Sequence, residues 1–94
     1  VQRGNQLHNG LNHLLGKYSN ILGEARGSGL IQGIEIQENT DLTAQDIVKV
    51  ALKEKLLLVS AGPKVVRMVP PLNISSKEVN EILKRFERCL KTLG

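Results

Sequence analysis

The run Lys64-Val65-Val66-Arg67-Met68-Val69, closed by Pro70-Pro71, constrains this chain more than any other stretch. Val65, Val66 and Val69 favour a pleated strand. The two prolines lack a backbone N–H and lock φ, so that strand has to end there. On a period of two, Arg67 shares a face with Val65 and Val69. A guanidinium set among valines calls for a planar anionic partner, and a carboxylate matches its fork in bidentate fashion. A structural ion pair, or an arginine on a solvated strand face, accounts for the same residues, and structural pairs outnumber ligand sites.

With 94 residues the chain has room for one small domain and one modest core. Apolar residues make up 40% and the only aromatics are Tyr18 and Phe86, so the core is expected to be aliphatic. That scarcity also removes an aromatic platform for stacking bases or sugars. The net charge of +4 comes from dispersed lysines and arginines. The densest set, Lys84, Arg85, Arg88 and Lys91, alternates with Glu81 and Glu87, which reads as a solvated helix face and not as a phosphate-binding patch. No nucleic-acid partner is expected. A lone Cys89 excludes an internal disulfide and fits a reducing compartment. No apolar run is long enough to cross a membrane, and the N-terminus carries no signal-like apolar core. With no initiator Met, the sequence is expected to begin inside something larger.

Leu7, Leu11, Leu14 and Leu15 fall on one helical face, predicting a helix from about Gln6 to Tyr18 that ends near Gly16. Gly10 weakens it. Residues 21–29 are expected to form a short irregular strand leading into a glycine turn. Leu30 to Gln37 form the next strand, with Gln32 breaking the alternation and Gly33 implying a close backbone approach or a bulge. Thr43 as N-cap with Asp46 in a capping box starts a second helix. Its buried stripe is Ala44, Ile47, Val48, Ala51 and Leu52. Leu56 to Val59 read as a well-buried strand, followed by a turn at residues 60–63 and the Val65–Val69 strand. Ser75 and Glu78 form a second capping box, with Ile74 and Val79 placed as a hydrophobic staple. Val79, Ile82, Leu83, Phe86, Leu90 and Leu93 then make the last helix's stripe, bordered by Cys89. Short turns between adjacent strands favour antiparallel pairing. The expected fold is α+β: a small antiparallel or mixed four-stranded sheet with helices on one face.

Most candidate chemistry fails on spacing. Gly27-Ser28-Gly29 with Gly33 lacks the third glycine of a dinucleotide fingerprint and precedes a strand instead of a helix. His8 and His13 point in different directions on their helix and have no ligand-spaced companion, so a metal site is not expected and both read as solvated. Glu35 and Glu38 are too isolated for an acid/base pair. Lys64, just after a Gly-Pro turn, is expected to be exposed. No catalytic, cofactor-binding or metal-ligating residue is expected in this chain; Arg67 is the one candidate binding residue.

Two stretches resemble a known family. Arg26-Gly27-Ser28-Gly29-Leu30-Ile31-Gln32-Gly33-Ile34-Glu35 is similar to a segment of pattern RGxGLxxGIE. Ala61 to Ser75 is similar to one of pattern AGPxxxRxxPPLxIS. Both resemble the C-terminal small domain of class III, pyridoxal-phosphate-dependent aminotransferases of fold type I, the second nearest to the acetylornithine branch. The resemblance implies that residues 1–94 are a single C-terminal small domain, packed against a large cofactor domain of the same polypeptide that is absent here. It implies a homodimeric, cytoplasmic parent enzyme of arginine biosynthesis. That enzyme would convert N-acetylornithine and 2-oxoglutarate to N-acetylglutamate semialdehyde and glutamate. It implies that Arg67 binds the substrate α-carboxylate, and that Arg26 with its glycines is structural. The catalytic lysine and the pyridoxal-phosphate site belong to the large domain, so this segment alone is expected to bind no cofactor and to be inactive. The rival reading is a free-standing, non-catalytic α+β module that uses the same arginine to hold a small carboxylate or a partner chain.

Overall fold

A computed structural model describes residues 2–28, 30–71 and 73–93. Gly29 of the expected glycine turn and Leu72 beyond the prolines lie outside the described residues. The elements, in chain order, are α1 (Gln2–Lys17), β1 (Leu22–Ser28), β2 (Ile31–Ile36), α2 (Ala44–Lys53), β3 (Val59–Ser60), β4 (Val65–Met68) and α3 (Ser76–Leu93). The four strands form one antiparallel sheet in the order β1-β2-β4-β3. The expected α+β class and the antiparallel alternative are what the structure contains.

The sheet is two-faced because its strands alternate. Ala25, Ile34, Ile36, Val66 and Met68 point to one side and are buried. There they meet Leu7, Leu11 and Leu14 of α1, Ala44, Ile47 and Ala51 of α2, and Val79, Phe86, Cys89 and Leu90 of α3. α1 lies on β1, α2 lies on β3 and β4, and α3 packs against both helices. Cys89, expected at the border of the core, is fully buried, and burial pushes its thiol pKa up.

Both predicted capping boxes form. Asp46 N–H donates to Thr43 Oγ1 (3.3 Å), while Thr43 N–H donates to Asp46 Oδ2 (2.9 Å). Glu78 N–H donates to Ser75 Oγ (3.1 Å), and Ser75 N–H to Glu78 Oε1 (2.9 Å). Each pair satisfies two of the donors a helix start leaves open, worth about 1 kcal/mol per cap. Ile74 and Val79 are buried as the staple requires.

Four expectations are corrected. The first helix begins at Gln2, four residues early, and runs through Gly10, where a Cβ would overlap the Leu83 side chain, so the glycine lets α1 and α3 approach closely. The Leu56–Val59 strand is reduced to Val59–Ser60 on the sheet edge, with Leu56 and Leu58 buried but Leu57 and Val59 exposed. Leu52 leaves the α2 stripe and faces solvent. The irregularity assigned to Gly33 lies instead in β1, where the register shifts between Leu22 and Ala25. Among the described residues no helix is long and apolar enough to cross a membrane.

Candidate carboxylate site on the open sheet face

The face of the sheet away from the helices carries Ile31, Gly33 and Glu35 of β2, Val65 and Arg67 of β4, Val59 of β3, and Val69 just beyond β4. Ile31, Val59 and Val69 are each about half exposed (51%, 52% and 54%), a high value for three β-branched residues on one small sheet. Arg67 stands among them. Its ladder partners are Val59 on β3 and Gly33 on β2, and Gly33 pairs in turn with Arg26 on β1. One row across the sheet therefore reads Arg26, Gly33, Arg67, Val59. The two arginines stand roughly 10 Å apart at Cα, from two strand spacings, with no side chain between them.

Four of the five arginines are engaged. Arg3 donates to Gln6 Oε1 (2.7 Å), Arg85 to Glu81 Oε1 (3.1 Å) and Arg88 to Glu54 Oε1 (2.8 Å). Arg26 donates through Nη2 to Glu24 Oε2 (3.0 Å), with its Nε 3.7 Å from Glu35 Oε2. The hydrogen bond to Glu24 and the charges of Glu24 and Glu35 raise the Arg26 pKa further. Arg67 is exposed and has no hydrogen-bonding or ionic partner among the described residues. Among the described residues the structural ion pair is not formed; the arginine stands on a solvated strand face, beside the half-exposed Ile31, Val59 and Val69. Such a guanidinium can clamp a carboxylate with two parallel N–H···O bonds.

The strand that carries it is braced at both ends. Lys64, expected to be exposed, is half-buried, and its Nζ donates to the carbonyls of Thr40 (2.6 Å) and Leu42 (2.7 Å). The tight β3–β4 connection turns at Gly62, whose φ of 111° favours glycine, and Ala61 N–H closes it onto Val65 O (2.8 Å). Pro70 is buried where β4 stops.

The remaining candidates scatter. His13 is exposed, whereas His8, read as solvated, is half-buried with Nδ1 2.8 Å from Gln32 Oε1. Gln32 is 2% exposed on the helix-covered face, so the broken alternation is a polar pair linking α1 to β2. Its partner lies 24 residues away, which no local pattern signals. Among the described residues no group of three or more His, Cys, Asp or Glu is placed to hold a metal ion.

The chain matches the family Aminotransferase class-III over residues 1–90. It is 52% identical over 91 residues to acetylornithine aminotransferase of Nostoc sp., covering 97% of this chain and 21% of that protein. It is 52% identical over 92 residues to the same-named protein of Thermosynechococcus vestitus, covering 98% of this chain and 22% of that one. Thus it spans about a fifth of the curated relatives it matches. The fold superposes on N-acetylornithine aminotransferase from Stenotrophomonas maltophilia K279a with a TM-score of 0.88 at 32% identity, covering 98% of this chain and 25% of that one. The enzyme from Elizabethkingia anophelis gives 0.88 at 22% identity, a likeness of fold.

Enzymes of this family depend on pyridoxal phosphate, and the open face does not fit that group by itself. The Lys64 amine is already taken by two carbonyls, and among the described residues of the open face Arg67 is flanked by Ile31, Val59 and Val69, which offer a phosphate nothing. What the open face offers, among the described residues, is one arginine without a partner, Arg67, on a braced strand. By its match over residues 1–90, the chain belongs to the class-III aminotransferases.

Proposed function

We propose that this chain is the C-terminal small domain of an acetylornithine-type aminotransferase, which moves an amino group from N-acetylornithine to 2-oxoglutarate with pyridoxal phosphate. In this reading Arg67 binds the α-carboxylate shared by amino donor and oxo-acid acceptor. The rest of the polypeptide supplies the catalytic lysine and the cofactor site and covers the apolar open face, within a cytoplasmic homodimer. The carrying observation is that Arg67 alone among the five arginines lacks a partner among the described residues, while it stands on a braced central strand among exposed valines. Burying that face leaves the guanidinium in a low-dielectric setting, where a charged partner becomes necessary.

The test is Arg67→Lys in the full-length enzyme. A lysine keeps the charge but presents no planar fork. KM for both N-acetylornithine and 2-oxoglutarate is expected to rise at least tenfold, the loss of roughly 1.5–3 kcal/mol from a charge-assisted hydrogen bond. Unchanged KM values would remove Arg67 from the site.

A further inference from the structure

Among the described residues, Glu35 is the carboxylate at a ladder position diagonal to Arg67 on the open face. It pairs across the β2–β4 ladder with Val65, two positions before Arg67, so it stands diagonal to the arginine. Diagonal neighbours on one sheet face are roughly 7–8 Å apart, close enough for long side chains to meet. Gly33 is the direct partner of Arg67 and adds no side chain to separate them. An arginine and a glutamate in these positions can pair across the sheet face. Here the Glu35 carboxylate is turned the other way, its Oε2 3.7 Å from Arg26 Nε. Arg26 is itself steadied by Glu24 (3.0 Å) from the bulged end of β1.

We propose that Arg26 is a positioning residue for the carboxylate site: by holding Glu35 on the β1 side of Gly33, it keeps that carboxylate from occupying Arg67. This rests on the reading of Arg67 given above. Glu35 then acts as a competitor built into the site, with Arg26 setting how much of it reaches Arg67. Gly33 is part of the same device. Its φ is not positive, and an added Cβ would meet only Arg26 O at 3.5 Å and Val65 Cγ1 at 4.0 Å, which are ordinary contacts. The backbone therefore does not require a glycine there. Its absence of side chain leaves Glu35 and the two arginines in one open row.

The experiment uses the full-length enzyme and two readouts: KM for 2-oxoglutarate, and the dissociation constant of glutarate, an unreactive dicarboxylate, by calorimetry. Arg26→Gln is expected to weaken both by about two- to fivefold, the size of an exposed ion-pair competition, with kcat within twofold. The double variant Arg26→Gln with Glu35→Gln is expected to restore both, because the released competitor is then neutral. Arg26→Lys keeps the holding charge and stays near wild type. Unchanged affinities in Arg26→Gln, no restoration by Glu35→Gln, or a lysine variant as impaired as the glutamine one would each overturn the proposal. If Arg26→Gln folds poorly, Glu35→Gln alone decides: glutarate binds no more weakly than to wild type, and weaker binding overturns the proposal. Failure of the underlying reading is separate, because it appears as unaltered affinities in Arg67→Lys.

Discussion

His8 on α1 and Gln32 on β2 are joined by a 2.8 Å hydrogen bond beneath the helix-covered face of the sheet. The amide oxygen of Gln32 can only accept, so the imidazole donates from Nδ1. This bond explains why a polar residue occupies a core position in the middle of an otherwise alternating strand. Gly27 is its complement. Opposite Gln32 in the β1–β2 ladder, it leaves the space that the glutamine side chain fills. Gln32→Leu is expected to lower stability by about 1–3 kcal/mol, since it strands a half-buried imidazole donor. Thermal unfolding of Gln32→Leu and of Gln32→Leu with His8→Leu checks this. Removing both polar groups should recover part of the loss.

Gly27 and Gly33 are predicted to respond oppositely to alanine. A Cβ at Gly27 would run into the backbone oxygen of Ile31 and would approach Gln32 Cα to 2.9 Å, which only a backbone shift can relieve. Gly27→Ala is expected to cost about 1–3 kcal/mol by overpacking. Gly33→Ala meets only ordinary contacts and limits the freedom of the unfolded chain, so it is expected to be neutral or to add up to about 1 kcal/mol. Denaturant midpoints of the two variants, measured side by side, decide it. A Gly33→Ala loss as large as that of Gly27→Ala would mean that Gly33 is kept for the fold and not for the open row beside Arg67.

Lys17, Tyr18 and Glu87 tie α1 and the turn after it to α3. Glu87 Oε2 accepts from Lys17 Nζ (2.7 Å) and from the Tyr18 hydroxyl (3.0 Å). The Lys17 hydrogen bond, outweighing desolvation, holds the Glu87 carboxyl below its ordinary value. A depressed carboxylate contributes stability above the unfolded pKa, about 4.3, and that contribution fades as pH falls through the folded value. Asp46 and Glu78, lowered by their caps, and Glu81, lowered by Arg85, act in the same direction. Stability is therefore expected to drop below about pH 4.3, with Glu87→Gln flattening its share of the slope. Urea unfolding between pH 3 and 7 measures it, and identical slopes in the two proteins would show that the α1–α3 tie carries none of it.

The helices were legible in the sequence because their start signals are local: Thr43 with Asp46 and Ser75 with Glu78 are three residues apart and form the bonds their spacing implies. The class of the sheet followed from strand pattern and short turns. What failed depended on distant partners. Leu56 to Val59 reads as buried on both sides because all four residues are apolar, but β3 is an edge and only Leu56 and Leu58 meet the helices. Lys64 follows a turn, yet the chain brings the carbonyls of Thr40 and Leu42, more than 20 residues earlier, onto its amine. At the site, the strand, its stop and the face of Arg67 were readable. That four other arginines find partners among the described residues while Arg67 does not is a property of the folded surface.

That unpartnered state separates a binding role from a structural one. Arg67 is exposed and makes no bond among the described residues, so Arg67→Ala removes nothing that holds the sheet together. Its stability is expected to stay within about 0.5 kcal/mol of wild type. The same substitution in the full-length enzyme is expected to abolish glutarate binding at concentrations that saturate wild type. A structural arginine would give the reverse pattern, a lowered unfolding midpoint with carboxylate affinity kept in the folded fraction. Measuring the midpoint on this chain and the affinity on the full-length enzyme distinguishes the two, because loss of affinity with an unchanged midpoint does not come from damage to this domain's fold.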